Sequence, residues 1–465
     1  MKFSTLHMPQ LLSVHGLIVA LGLLVYVLTT HVMQQRRAPS AAISWVLTIA
    51  LIPYLGLPLY LLFGMRKLMH TGNRSFHKIP ARSLRSDDAW PRQLAESMGQ
   101  PPAAAYRNLH IHADGAQALQ ALWDVIDSAE RELVLCTFIL GRDPMGKELI
   151  KRLTDKAHTG VSIRFLLDGF GSILGGGANL RKLKAAGVQV MLFGPILQAP
   201  FKHSANLRNH RKMVVADGTQ LWCGGRNFAA EYFEGTRKRA PWRDASFDLQ
   251  GPLAGQAHEL FERDWAYASG LPYPENKHSG HSGHAAQEPF AQLIASGPDQ
   301  ADDTVHDMLV TACFKAHSRI LAVTPYFIPG ETLSMALSLA ARRNVTVDLI
   351  LPRRSNHHLA DYARHRALRG LVAAGGRVWL APAMLHAKVV VIDDDMALSG
   401  TVNLDSRSLF LNYELMVAFY AAADVKRFAR FIETHRKTAD RYQARKPGLL
   451  RDFTEGLVLW LAFQL

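Results

Sequence analysis

His210, Lys212 and Asp217 fall within one short run, NHRKMVVADG, whose apolar middle from Met213 to Ala216 predicts a strand. Side chains two residues apart on a strand project from the same face, so His210 and Lys212 point together. An imidazole can attack an electrophile or carry a proton, and an ammonium beside it can hold an anion. The pattern is present twice. LHAKVVVIDDDMALSGTVN restates NHRKMVVADGTQLWCGGRN, so that His210 and His386, Lys212 and Lys388, Asp217 and Asp393, Gly224 and Gly400, and Asn227 and Asn403 are each 176 positions apart. Five identities in fixed register mark an internal repeat.

Two equivalent halves packed about a pseudo-twofold axis would bring one His, Lys and Asn from each to a shared cleft. That cleft suits a phosphodiester. Lys212, Lys388, Asn227 and Asn403 can surround its non-bridging oxygens and stabilise developing charge, so the chemistry calls for no metal ion and no cofactor. One imidazole can attack phosphorus while the other protonates the leaving oxygen and then deprotonates the incoming nucleophile. Each ring also needs an acceptor on its other nitrogen. Glu414 opens the apolar run LMVAFY shortly after Asn403 and is assigned to His386. Asp244, in WRDASFDLQG, is assigned to His210, with Asp248 as a neighbouring alternative. Asp217 and Asp393 complete the candidate catalytic set of His210, Lys212, Asp217, His386, Lys388 and Asp393. They close their strands and are expected to support the site through hydrogen bonds or ion pairs.

The elements that must position these residues alternate. A helix at 115–130, the strand ELVLCTFIL, a helix at 146–158 and the strand VSIRFLLD precede the first motif, which is an α/β order. After the motif, GLPYPENKHSGHSGHAAQEP carries Gly, Pro and Ser without apolar periodicity and reads as a linker. Its His278, His281 and His284 are evenly spaced, but nothing in so loose a setting would orient their rings toward a metal. Beyond it the order repeats, with helices at 301–316, 331–342 and 357–374 and strands RILAVTPYFI, VTVDLILP and GRVWLAP. The expected division is a membrane segment at 1–66, a connector at 67–105, a first α/β domain at 106–272, a linker at 273–288 and a second α/β domain at 289–465.

The amino terminus holds no Lys, Arg, Asp or Glu from Phe3 to Gln35, and Leu11 to Val32 is long enough to cross a hydrocarbon core. A second uncharged run, Ala38 to Met65, predicts a transmembrane hairpin. Lys2, Arg66, Lys67, Arg74 and Lys78 outnumber Arg36 and Arg37 of the short link, which places both ends in the cytoplasm. The whole chain of 465 residues carries a formal charge of +14, so its surface attracts phosphate-bearing partners, whether nucleic acid or anionic headgroups. Cys136, Cys223 and Cys313 lie far apart in apolar runs and read as reduced core residues. The final stretch, GLLRDFTEGLVLWLAFQL, is an amphipathic tail short of a full span, suited either to a membrane interface or to core packing.

The doubled signature, H-x-K-x4-D followed after six residues by G-x-x-N, resembles the phospholipase D superfamily. With the apolar run RRAPSAAISWVLTIALIPYLGLPLYLLFG, the segment TPYFIP and the second site LHAKVVVID, it is similar to the bacterial cardiolipin synthases within that superfamily. The resemblance implies two tandem phospholipase D-like α/β domains with the active site between them, in the bacterial inner membrane. It also implies transphosphatidylation: a histidine, with His210 favoured, attacks phosphatidylglycerol, and a second phosphatidylglycerol resolves the phosphatidyl-histidine to cardiolipin. Partners would be phosphatidylglycerol, other phospholipids and the bilayer, not nucleic acid. Hydrolysis to phosphatidic acid uses the same residues with water as acceptor. Gly225 departs from the superfamily, which often has Ser there, and Thr401 stands at the equivalent position of the second half.

Overall fold

The computed structural model describes residues 8–32, 39–64, 90–172, 177–194, 206–237, 240–271 and 288–461. The linker and its His278, His281 and His284 lie outside them.

Helix α1 (Met8–Val32) is apolar throughout, and its Val14–His31 window is long enough to cross a membrane. The second apolar run is not the single span expected. It divides into α2 (Pro39–Leu51) and α3 (Pro53–Phe63), with Ile52 between them out of helical geometry at φ −136° and ψ 61°. Pro53 supplies no N–H and restricts the residue before it, so the helix stops there. At 1.5 Å per residue neither piece exceeds about 20 Å, against a hydrocarbon core of about 30 Å. The pieces fold onto α1 around Tyr26, Ile49 and Tyr60, and Thr29 Oγ1 meets Tyr60 Oη at 2.5 Å.

The stretch read as a connector contains α4 (Trp90–Ser97), packed on the second half. Its Ala104–Ala105 strand pairs with Phe290 and Ala291 rather than with the first half. The first half then builds a seven-stranded sheet from β1 (Arg107–His112), β2 (Glu132–Thr137), β3 (Ser162–Asp168), β4 (Gln189–Phe193), β5 (Met213–Ala216), β6 (Gln220–Gly224) and β7 (Ser246–Gln250). The second half repeats it with β8 (Phe290–Ser296), β9 (Arg319–Val323), β10 (Thr346–Pro352), β11 (Arg377–Ala381), β12 (Val389–Ile392), β13 (Met396–Gly400) and β14 (Glu414–Phe419). The orders, β1-β7-β6-β5-β2-β3-β4 and β8-β14-β13-β12-β9-β10-β11, are the same, down to parallel β2-β3-β4 and β9-β10-β11. In the second half Ala104–Ala105 and Asp440–Arg441 extend the two edges.

Helices α5 (Gly115–Ser128), α6 (Pro144–His158) and α7 (Gly177–Ala185) cover the outer face of the first sheet. Asp114 caps α5 by accepting from the Ala116 and Gln117 N–H groups. Helix α8 (Pro252–Ser269) crosses toward the second half, whose outer face is covered by α9 (Thr304–Lys315), α10 (Glu331–Arg342) and α11 (His358–Ala373). Short α12 (Ser406–Phe410), then α13 (Ala422–Lys437) and α14 (Leu449–Leu461), complete the chain.

The inner faces of both sheets share one core. Met213 and Val215 of β5, with Val389 and Val391 of β12, enter it together with Phe261 of α8 and Phe428 of α13. The alternate residues turn outward, Val214 and Ala216 under the first half's helices, Val390 and Ile392 under the second's. Burial on both faces explains why these strands read as continuous apolar runs instead of alternating.

Candidate active site

The two motifs meet where the halves join, and their backbones pair across the junction. The His210 N–H donates to the Tyr413 carbonyl at 2.8 Å, and the Tyr413 N–H returns to the Arg208 carbonyl at 2.8 Å. On the symmetry-related side the His386 N–H donates to the Arg243 carbonyl at 2.6 Å, and Arg243 N–H to Met384 at 2.9 Å. Each histidine is thus stitched to the residue preceding the acid of the opposite half.

The side chains follow. His210 Nδ1 lies 2.9 Å from Glu414 Oε1, and His386 Nδ1 lies 2.7 Å from Asp244 Oδ2. Glu414 and Asp244 are therefore the orienting acids, but the assignment made from sequence order is exchanged: the acid of each half serves the histidine of the other. Asp248, the alternative, binds His110 and His112 at the first sheet's edge. With Nδ1 engaged, each ring has Nε2 for chemistry.

The lysines lie where extended backbone puts them, two residues on. Lys212 Nζ donates to the His210 carbonyl at 2.6 Å, and Lys388 Nζ to the His386 carbonyl at 2.5 Å while lying 2.7 Å from His386 Nδ1 and 3.0 Å from its Nε2. The asparagines brace the floor. Asn227 Nδ2 donates to Tyr232 Oη at 2.7 Å, and Asn403 Nδ2 to Ser408 Oγ at 3.0 Å. Asn403 Oδ1 is buried without a partner among the described residues. Phe138 sits edge-on to His210, and Tyr232 and Trp242 flank His386.

Burial governs the protonation of this cluster. It pulls the His210 ring down to about 4 against the pull of Glu414, and His386 down to about 3 with Lys388 acting in the same direction. Burial also lowers Lys212 to about 8, and it lowers Lys388 to about 7 with help from Lys212. For Asp244 and Glu414 burial alone would raise the carboxyls. The facing histidine and the lysines more than offset it, and both stay ionised below the ordinary range. Both imidazoles are neutral at pH 7, as a nitrogen nucleophile must be.

Asp217 and Asp393, placed in the catalytic set from sequence, are not at the histidines. They end their strands at positive φ, 52° and 49°, a conformation Asp tolerates better than most residues. Asp217 accepts from the Glu130, Arg131 and Glu132 N–H groups, and Asp393 from those of His317, Ser318 and Arg319. Seven residues of extended chain put each roughly 20 Å from its histidine. Their support, by hydrogen bonds as expected, goes to the start of the neighbouring strand.

The departure at Gly225 has a steric cause. A Cβ there would meet Asp244 Oδ1 at 2.3 Å, so the acid occupies the space a side chain would need. At Thr401 the hydroxyl is instead accommodated and donates to Glu414 Oε2 at 2.5 Å.

Arg211 was missed from the sequence. It is fully buried, ion-paired to Asp264, 3.2 Å from Asp299, and its Nε donates to the Glu414 carbonyl at 3.0 Å. The available signal was its place between His210 and Lys212, which aims it at the core, where an arginine requires acidic partners. Among the described residues the one cluster with metal-ligand donors within 4.8 Å of one another, Glu132, His258 and Glu262, lies outside this cleft. Arg164 pairs with both glutamates there, which makes it an ion-pair network.

Comparison with known proteins identifies the family. The family model described as cardiolipin synthase, PLD-like domain, matches residues 122–265 and 309–436, and one described as phospholipase D-nuclease N-terminal matches residues 18–64. Cardiolipin synthase A of Pseudomonas syringae is 33% identical over 414 residues, covering 83% of this chain and 84% of that protein. Cardiolipin synthase 1 of Bacillus anthracis is 30% identical, covering 86% and 83%. Among solved structures, phosphatidylserine synthase of Haemophilus influenzae superposes with a TM-score of 0.63 over 81% of this chain and all of that one. At 13% identity the likeness is one of fold.

Proposed function

The chain belongs to the cardiolipin synthase family of PLD-like proteins, and from that premise we propose that it joins two phosphatidylglycerol molecules into cardiolipin and free glycerol. The observation that carries the mechanism is the pair of crossed histidine–carboxylate contacts with a lysine beside each ring.

His210 is the nucleophile in this reading. It is the less enclosed of the two rings, and Glu414 on Nδ1 fixes the tautomer that leaves Nε2 as the attacking atom. As Nε2 bonds to phosphorus, the bond to glycerol oxygen breaks, and His386, holding a proton shared with Lys388, delivers it to that oxygen. The primary hydroxyl of a second phosphatidylglycerol then gives its proton to His386 and attacks phosphorus, and the phosphorus–nitrogen bond breaks. Lys212 neutralises the non-bridging oxygens through both displacements, Lys388 does so while it holds its proton, and the second amide protons of Asn227 and Asn403 assist. Asp244 and Glu414 stabilise whichever imidazolium forms.

The N-terminal helix and the family mark a membrane protein. We place the catalytic halves at the cytoplasmic face, on the positive-inside tendency of Arg66, Lys67, Arg74 and Lys78. All three cysteines are free and buried, in keeping with a reducing compartment.

The test is the lipid product of protein reconstituted with labelled phosphatidylglycerol. Cardiolipin and glycerol should form in equal amounts, and His210→Ala and His386→Ala should form neither. Phosphatidic acid as the sole product would make the enzyme a hydrolase, and no turnover would end the proposal.

A further inference from the structure

Helix α14 is amphipathic the wrong way round for a helix on a protein in water. Two of its polar residues face inward, while Arg451 and Asp452 stay exposed: Glu455 is fully buried between Arg369 and Arg451, and Thr454 Oγ1 meets Tyr362 Oη on α11. Its large apolar residues face outward. Leu449, Leu450, Phe453 and Leu457 are 93%, 78%, 70% and 51% exposed, on one face at helical spacing. A helix in water is stabilised by hiding such a face, so this one is built for an apolar neighbour.

We infer that α14 is a docking element that seats the catalytic halves on an anionic bilayer, with this ridge in the headgroup–acyl boundary. Three observations select a bilayer over a protein partner. Cations rim the ridge: exposed Arg445 and Lys446 precede it, and the exposed Arg366 lies alongside, its guanidinium 3.8 Å from the Cβ position of Gly456. Basic residues bordering an apolar face are the pattern that binds acidic headgroups. From Val458 to Leu465 the sequence carries no Lys, Arg, Asp or Glu. Finally, α1 of the same molecule is long and apolar enough to cross a membrane.

The seat is coupled to the site. Val458 and Leu459 pack on Ile328, Ala360 and Ala363, in a cluster that includes Tyr326, and the Tyr326 ring stands 6.5 Å from that of His386. The strand holding Ile328 pairs with Leu404–Asp405, next to Asn403. The ridge therefore fixes the height of the cleft above the lipid, and substrate reaches phosphorus-binding depth without leaving the bilayer. The inference rests on the lipid substrate proposed above.

Because Cys136, Cys223 and Cys313 are buried, a new surface cysteine can be labelled selectively. Full-length protein carrying Phe453→Cys, or Asp394→Cys as an exposed control, is labelled with an environment-sensitive fluorophore in phosphatidylglycerol nanodiscs. Label at 453 should be blue-shifted and quenched at least twofold by nitroxide lipids, and label at 394 should not. Equal water exposure of the two would overturn the inference. So would a shift at 453 that tracks cross-linking between copies, because the ridge would then be a dimer contact. In parallel, the Leu450→Glu/Phe453→Glu variant should lose about tenfold of its turnover on vesicle lipid and keep its turnover on short-chain, monomerically dispersed phosphatidylglycerol. Equal loss on both would also overturn it. Wild type inactive on both would instead sink the proposed function, while the fluorescence result would still decide the placement of α14.

Discussion

Each histidine in this cleft is oriented by an acid far along the chain, 204 positions from His210 and 142 from His386. Glu414 is held for His210 by the Thr401 hydroxyl and by Arg211 on its carbonyl, and Asp244 occupies the space that Gly225 leaves open. The crossed pairing makes a prediction specific to each residue. Glu414→Gln should move the ring-nitrogen NMR signals of His210 and leave those of His386, and Asp244→Asn should do the reverse. Each should lower kcat by roughly 10²–10⁴-fold, the usual worth of a positioned proton-transfer group. Movement of the wrong histidine in either variant would refute the exchange. The two half-sites also differ: Arg211 faces Ala387 across the repeat, and Thr401 faces Gly225. Such differences leave room for one ring to attack and the other to shuttle protons.

At the scale of elements, Asp217 and Asp393 show how a signature residue can serve the fold. Each closes a strand in a left-handed turn and holds with one carboxylate three N–H groups at the start of the neighbouring strand. Asp217→Ala should cost roughly 1–3 kcal/mol of stability, the worth of charge-assisted hydrogen bonds, and lower Tm. The kcat/KM of the folded protein should stay within about threefold of wild type. A hundredfold loss at unchanged Tm would return Asp217 to the chemistry. The helices and strands flanking each motif were legible because their apolar runs are long and regular. Leu135 and Leu349, for example, sit in the strands expected of them. The break at Ile52 went unread because hydropathy ignores the donor that Pro53 lacks. The choice of partner for His210 was illegible for another reason: the two acids occupy equivalent places in a repeat, and only packing of the halves decides which ring each meets.

The whole molecule is two copies of one sheet closed around a common core, so neither copy has a finished interior. Phe247 of the first half stacks edge-on against Phe419 of the second, and Tyr106 donates to Asp424 at 2.6 Å. Residues 100–271 expressed with the membrane segment but without the second half should therefore aggregate. Co-expression with residues 288–465 should restore a folded, detergent-extractable catalytic complex and turnover. A first half that is monodisperse in detergent on its own would show that its inner face does not depend on its partner. The crossed acids also order events in time. His210 leaves the ribosome 204 residues before Glu414, which at about 5–20 residues per second is on the order of 10–40 s. Throughout that interval the imidazole proposed to attack phosphorus has no acid to set its tautomer, although α1, long and apolar enough to cross a membrane, has already been made. A chain truncated before Glu414 should therefore form no cardiolipin in the lipid assay.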